Sequence, residues 1–293
     1  MRAPDAAGAA GVREVNRDMT PDAPRLTIVI VTYNSSREID VVLGSLTQAA
    51  PVASHDIVVI DNASSDGTPA IMRERWPAVR LIESGANLGF AAANNRAIRT
   101  SSSELVLLLN PDTRVPAGAV DRLVAQLDAR ADVAIVGPRI VDGHGRAELS
   151  FGAMISPVAE LRQKVLVWGN DRAVASIVST VDRMTRHTHE VDWVSGACLL
   201  IRRTDLEAVG LLDERFFLYT EDVDLCASVR ARGRRVLFAA QIEVEHLRGR
   251  SAGATTTVAY RRSQLAFYEK HHPAWLPWLR AYLKIRGELP DNP

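Results

Sequence analysis

The chain has few cysteines, no net charge and no long apolar run, and each absence excludes something. Cys198 and Cys226 are its only cysteines, and they lie within apolar or helical patterns. They read as free, buried thiols in a reducing compartment rather than a disulfide, and no Cys/His cluster has structural-zinc spacing. The 35 basic and 35 acidic side chains cancel, so nothing in the balance points to nucleic acid as a partner. No apolar run approaches the roughly 20 residues of a membrane span. Residues 1–24 are rich in Ala, Gly, Pro and Asp and lack the apolar stretch of a secretory signal. They are expected to be a disordered leader, and the protein to be cytoplasmic. No internal repeat is present, no G-x-G-x-x-G follows the first apolar strand, and there is no P-loop. With 293 residues, 47% of them hydrophobic and 24% charged, what remains is an ordinary globular protein of one large domain or two small ones.

The most informative segment is the apolar run 105–109 followed at once by Asn110-Pro111-Asp112. A short unbroken run suits a strand buried on both faces, and proline ends it by donating no ladder hydrogen bond. Strands of the same kind are expected at 26–32, 56–60, 79–82 and 133–136. Helices are expected at 36–46, from Thr68 (as cap, with Pro69 in the first turn), at 89–100 and at 117–129. Repeated β-α units imply a parallel sheet with helices on both faces. Residues 142–192 look irregular apart from a helical stretch near 158–167, and such a segment is usually functional or mobile. A strand at 193–201, a helix at 221–232 capped by Thr220, and strands at 235–238 and 242–245 follow. The tail 260–286 is helical in pattern, interrupted at Pro273 and Pro277.

Polar residues recur where the strands end. Thr32-Tyr33-Asn34 follows the first and Asp61-Asn62 opens a Ser/Asp/Gly loop after the second. Asn87-Leu-Gly89 follows the third, with Asn94 in the helix beyond, and Asn110 and Asp112 follow the fourth. Each alone is ordinary turn chemistry. Four on one sheet edge mark the crevice where open α/β sheets bind ligands. The residue types suit a nucleotide: Asp61 can accept from a pyrimidine imide N–H, Tyr33 offers a face to the base, and Gly89 admits the backbone close to phosphate. A carboxylate at Asp112 can hold a divalent cation, and the cation a diphosphate. Three acids in four positions, Glu221, Asp222 and Asp224, follow the aromatic run Phe216-Phe217-Leu-Tyr219. They read as a helix start whose acids offset the dipole. Aromatic walls would also raise a carboxylate's pKa and exclude water, as a general base requires. His246 with Arg248 and Arg250 suits Mn²⁺ and phosphate.

Together these pieces resemble the family 2 glycosyltransferases with a GT-A fold. The pieces are Val31-Thr-Tyr-Asn34, Asp61-Asn-Ala-Ser-Ser-Asp66-Gly-Thr68, Asn87-Leu-Gly89-Phe90 with Asn94, Asn110-Pro-Asp112, Gly196-Ala-Cys, Asp213-Glu-Arg-Phe-Phe217 and Glu221-Asp-Val-Asp224. His246-x-x-Gly249-x-Ser251 is similar to the bacterial rhamnosyltransferase-like members. The resemblance implies a Rossmann-like, mostly parallel central sheet with flanking helices over 25–252. Residues 25–140 would form the nucleotide-binding half, 141–252 the acceptor and catalytic half, and 253–293 a C-terminal helical extension.

It further implies an inverting, metal-dependent transfer of a sugar from a nucleotide diphosphate to a glycan or lipid-linked acceptor in cell-surface polysaccharide biosynthesis. The donor it points to is dTDP-rhamnose, with UDP- and GDP-sugars left open. Asp222 would be the base, oriented by Glu221 or Asp224. Thr32, Tyr33, Asn34, Asp61, Asn62, Asn87, Gly89, Asn94, Asn110, Asp112, Arg248 and Arg250 would bind the nucleotide-sugar. Asp112 and His246 would hold Mn²⁺ or Mg²⁺, with Asn110 standing where the family's metal motif has its first acid. The aromatic and basic tail from Trp275 to Arg286 reads either as a helix packed on the domain or on a second subunit of a homodimer, or as a peripheral contact with the inner face of the membrane. A nucleotidyltransferase of similar fold and an inactive nucleotide-sugar-binding protein are the competing readings.

Overall fold

Leucine and β-branched runs without polar alternation bury their backbone only as strands covered on both sides. The computed structural model, which describes residues 23–247 and 254–290, is built around five such runs. In chain order the first half holds β1 (Leu26–Thr32), α1 (Ile39–Gln48), β2 (His55–Asp61), α2 (Thr68–Arg75), β3 (Arg80–Glu83), α3 (Phe90–Ile98), β4 (Leu105–Leu109), β5 (Thr113–Arg114), α4 (Ala119–Asp128) and β6 (Val133–Asp142). Then come β7 (Phe151–Gly152), α5 (Pro157–Asp171), α6 (Ala175–Met184), β8 (His189–Val191), β9 (Trp193–Val194), β10 (Cys198–Arg202), α7 (Arg203–Ala208), α8 (Glu221–Ala231) and β11 (Arg235–His246). The chain closes with α9 (Ala254–His271), a 3₁₀ turn (Pro273–Trp275) and α10 (Leu276–Ile285). Residues 1–22 of the expected leader lie outside the described residues.

The main sheet runs β3-β2-β1-β4-β10-β6-β11-β5, with β8 also paired to β11, and β7 and β9 form a small second sheet. β1 lies parallel to β2 and β4, β2 parallel to β3, and β6 parallel to β11. β10 is antiparallel to both β4 and β6, so the sheet is mixed rather than all parallel. The β-α alternation cannot reveal this reversal, because β10 is reached through the long 142–192 segment. Two apolar layers sandwich the sheet. Ile28, Ile30, Leu105, Leu107 and Leu109 face α1 and α4 on one side, while Val29, Val31, Val106 and Leu108 face α3 and α8 on the other. Truncating any of these to Ala costs about 2–5 kcal/mol.

Several sequence expectations are corrected. Within 142–192 the helical stretch expected near 158–167 is present as α5, and a second helix, α6, replaces part of the expected irregular segment. The stretch 193–201 is two strands broken at Ser195–Ala197, and 235–245 is one strand with a register shift after Ala239. Pro277 begins α10 rather than interrupting a helix. Thr68 is not the cap of α2 but its first residue, and Asp66 accepts its N–H at 3.1 Å. Thr220 precedes α8 in a left-handed conformation and makes no side-chain cap bond.

The start of α3 packs tightly against the aromatic run before α8. Phe90 N–H donates to Phe217 O at 2.7 Å, and Gly89 sits at φ +81° against the same carbonyl, which a Cβ would strike. Gly89→Ala is therefore expected to destabilise the protein by about 2–4 kcal/mol, combining left-handed strain with overpacking. Gly210 has a similar φ of +87° with nothing within 4 Å of a Cβ. Gly210→Ala should then cost only about 1–2 kcal/mol. Equal denaturation midpoints for the two variants would contradict the close approach.

Candidate active site

The carboxyl ends of β1, β2 and β4 present the polar residues that the sequence singles out. Asp61 closes β2 almost fully buried. Its Oδ1 accepts from Thr32 Oγ1 at 3.0 Å and its Oδ2 from Ser64 N–H at 2.9 Å, leaving lone pairs for a further donor. Asn34, at φ 55°, ties the same two ends together: its Oδ1 accepts from Ser65 N–H at 2.9 Å and its own N–H donates to Ser64 Oγ at 2.8 Å. Tyr33 stands more than half exposed beside them. Burial alone would raise the Asp66 carboxyl, but donors from Thr68 and Ser36 outweigh it and hold it down at about 2. The loop is thus locked by its own carboxylates.

Asn62, Asn87 and Asn94 do structural work. Asn62 Nδ2 donates to Asn87 Oδ1 at 2.9 Å and to Gly89 O at 3.1 Å, while its Oδ1 accepts from Leu88 N–H at 2.9 Å. Asn94 is fully buried and its amide donates to Phe90 O at 2.9 Å, bracing the first turn of α3. Sequence reasoning missed its neighbour. Asn95 exchanges two hydrogen bonds with the Leu212 backbone, at 2.8 and 3.0 Å, and reaches Glu214 at 2.9 Å. The signal was there: Ala91, Ala93, Ala97 and Ile98 mark the buried side of α3, and Asn94 and Asn95 lie among them.

At the end of β4, Asn110 N–H donates to Ala197 O at 3.0 Å, and Thr113 Oγ1 closes the turn on Asn110 O at 2.8 Å. The last residue of β11 pairs with Thr113, which carries His246 to Asp112: Nε2 to Oδ1 is 3.2 Å. On the other side His246 Nδ1 lies 3.4 Å from Glu148 Oε2, a residue the sequence did not single out. Burial would lower the imidazole pKa, but the flanking Asp112 and Glu148 carboxylates override it and raise it to about 9. A cavity of about 260 Å³ adjoins His246, walled by Asp142, His144, Arg146, Glu148 and Asn170 among others. A carboxylate oxygen and an imidazole nitrogen this close, the ring oriented by a second carboxylate, are suitable donors for Mn²⁺ or Mg²⁺. Among the described residues no group of three or more such side chains could hold a metal, so further ligands would come from the substrate and water. Arg248 and Arg250 lie outside the described residues.

The acidic cluster opens α8 after two consecutive left-handed residues, Tyr219 (φ 68°) and Thr220 (φ 73°). Non-glycine residues in this region store on the order of 1–3 kcal/mol each and persist only where the surroundings fix them. Here Ser263 Oγ donates to Leu218 O at 2.8 Å, and Phe216 is buried with Phe267 and Tyr268 of α9. Asp222 is partly exposed. Its Oδ2 accepts from Gly196 N–H at 2.8 Å and its Oδ1 from Val223 N–H at 2.8 Å, yet burial still raises its pKa. Glu221 is buried with no hydrogen-bond partner for Oε2, and burial followed by repulsion from Asp222 raises its pKa well above the carboxylate range. Asp224 is only 2% exposed and is engaged from behind, by Lys270 Nζ at 2.9 Å and His271 Nε2 at 2.6 Å. The structure therefore brings Glu221 and Asp222 to the site edge and commits Asp224 to α9.

A family model described as "Glycosyltransferase like family 2" matches residues 24–276. The chain is 32% identical to an N-acetylglucosaminyl-diphospho-decaprenol L-rhamnosyltransferase of Mycobacterium tuberculosis, over 90% of this chain and 92% of that protein. It is 26% identical to a low-salt glycan biosynthesis hexosyltransferase of Haloferax volcanii, over 70% of this chain and 61% of that protein. Among solved structures, a mannosyltransferase of Pyrobaculum calidifontis in complex with GDP-Man and Mn²⁺ superposes with TM-score 0.58 at 20% identity, covering 89% of this chain and 70% of that one. GalNAc-T7 with UDP, GalNAc and Mn²⁺ superposes with TM-score 0.59 at 15% identity, covering 84% and 48%. These structural likenesses bear out the expected GT-A architecture.

Folding stability should carry the signature of the buried acid pair. A carboxyl with a folded-state pKa raised above its unfolded value of about 4.3 binds its proton more tightly when folded. Stability is then lost as pH climbs from that value toward the raised pKa. Glu221→Gln is expected to remove part of this loss, so its urea midpoint should fall less between pH 5 and pH 8 than the wild type's. Parallel pH profiles for the two proteins would rule this out.

Proposed function

Because the chain belongs to glycosyltransferase family 2, we propose that it moves a sugar, with inversion, from a nucleotide diphosphate donor to a saccharide or lipid-linked saccharide in the building of a cell-surface polysaccharide. The donor proposed is dTDP-rhamnose. The observation that carries this reading is that two adjacent residues serve both sides of the reaction. Gly196 N–H holds the Asp222 carboxylate, and Ala197 O holds the Asn110 turn that leads to Asp112. A base and a diphosphate corner fixed to one short span suit a single displacement. The activity for which the mycobacterial relative is named supports the sugar and the lipid-linked acceptor. A nucleotidyltransferase is disfavoured by the family membership.

In this mechanism Asp61 accepts from the base and Tyr33 covers it, while Thr32, Asn34, Asn62, Asn87, Gly89 and Asn94 hold the cradle. Asp112 and His246 would hold a divalent cation, which supplies positive charge against the diphosphate; the Mn²⁺ in both solved relatives supports that choice. Arg248 and Arg250 add charge of the same sign. The acceptor hydroxyl gives its proton to Asp222 as its oxygen bonds to the anomeric carbon. The bond to the diphosphate oxygen breaks on the opposite face, so configuration inverts. Burial and the neighbouring Asp222 raise the Glu221 carboxyl above the ordinary carboxylate range, which favours its neutral form beside the base. No described helix is long and apolar enough to cross a membrane. The protein would work in the cytoplasm, as a monomer or homodimer, with peripheral contact to the inner face of the membrane.

Asp222→Asn is expected to lower kcat by about 10²–10⁴-fold with donor affinity nearly unchanged, read by release of nucleoside diphosphate and by calorimetry. Loss of nucleotide affinity in that variant would sink the assignment of the base. Asp112→Ala is expected to abolish metal-dependent binding of the donor. Full activity of that variant in chelator would refute the metal corner.

A further inference from the structure

Helix α5 carries its apolar residues on two sides. One side is turned inward: Leu166 and Val167 pack on the core, and Glu160 faces α9, where it accepts from Gln264 Nε2 at 2.7 and 2.9 Å. The other side is a stripe of Val158, Leu161, Val165 and Trp168, which are 79%, 66%, 50% and 53% exposed. The spacing of three, four and three residues places all four along one line of the helix. A stripe this long, about 15 Å from end to end, is an unusual amount of apolar surface for a helix to leave uncovered.

The charges around the stripe say what covers it. At about 100° per residue, Arg162 and Lys164 fall symmetrically on its two borders. Arg172 caps its far end, with its guanidinium carbon 4.6 Å from the Trp168 ring centroid. Of the acids on α5, Glu160 is committed to Gln264 and lies 3.6 Å from Lys164, and Asp171, one turn beyond Trp168, lines the cavity beside His246. An apolar stripe with an indole and basic borders matches an anionic lipid surface: the apolar side chains enter the headgroup boundary and the cations meet the phosphates. On α10 the exposed Trp278, Tyr282 and Ile285 also form a stripe, but Arg280 and Lys284 lie roughly on the opposite side of the helix. The two helices therefore differ in charge arrangement, and α5 has the better fit.

We propose that α5 is the principal face by which this protein lies on an anionic membrane surface. Its last residues, Asn170 and Asp171, line the cavity beside His246. A lipid carrier anchored in the bilayer would thus present its saccharide end at the end of the helix that rests on that bilayer. The delivery step rests on the glycosyltransferase reading above; the membrane face does not.

The test is flotation of the full chain with vesicles of phosphatidylcholine alone or containing phosphatidylglycerol. Wild type is expected to float with the anionic vesicles and little with the neutral ones. The variant V158S/L161S/V165S/W168S is expected to lose partitioning at least tenfold with unchanged circular dichroism. The variant R162Q/K164Q/R172Q is expected to lose about a hundredfold on anionic vesicles, since each basic side chain near such a surface contributes on the order of fivefold. The variant W278S/Y282S/I285S should stay within about threefold of wild type. Wild-type flotation of both α5 variants would overturn the proposal. So would unchanged lipid binding with a dimer converted to monomer in sedimentation, which would make a second copy the occupant. Release of nucleoside diphosphate from dTDP-rhamnose with water as acceptor, run in parallel, should be the same for wild type and both α5 variants. Its absence in wild type would count against the donor assignment while the flotation result stands.

Discussion

The carboxyl edge of the sheet is organised by the short break between β9 and β10, where Gly196 and Ala197 leave the strand path. The break frees the Gly196 N–H from any strand ladder, while Ala197 O continues the β10–β4 register. The N–H goes to Asp222 and the C=O to Asn110. A Cβ on Gly196 would lie 3.3 Å from that of Asp222, so any larger residue would press the acid away by a few tenths of an ångström. The antiparallel strand β10 then fixes the break against β4 through five paired residues, so the acid and the β4 turn move as one body. The Phe90–Phe217 hydrogen bond adds a second tie, between the start of α3 and the aromatic run before the acids.

The electrostatics follow from the same packing. Glu221 and Asp222 are neighbours in the first turn of α8, where a helix N-terminus favours negative charge. Burial works against that preference strongly enough to raise both carboxyls. At the other corner the sign reverses: two carboxylates around one imidazole raise its pKa. The site thus has acids with raised pKa on one side and a carboxylate–histidine–carboxylate chain on the other.

Much of this was legible in the sequence, and the failures have definite causes. The five core strands were readable because their side chains are apolar on both faces, and the polar strand ends because nothing apolar interrupts them. Helix α5 was glimpsed through Val158 to Val167 because a helical period is the same whether the apolar stripe points inward or outward; which way it points depends on its neighbours. Helix α6 went unread because only Val181 of it is buried. Glu148 sits in an irregular stretch with no periodicity, and only the return of β11 brings His246 to it. Asp224 looked like a third acid of the site because its partners, Lys270 and His271, are more than 40 residues away in sequence.

Those partners give the last helices a part in the order of events when the chain is made. Residues 26–109 form a block of neighbouring strands and helices, whose local contacts can organise early as the chain is made. The strained pair Tyr219–Thr220 has no such local support. It is held by Ser263, Phe267 and Tyr268, and Asp224 by Lys270 and His271, all in α9. The β1–β4 pairing can therefore form in a nascent chain before the turn that carries Glu221 and Asp222. The turn that carries the acids is completed only when nearly the whole polypeptide has emerged.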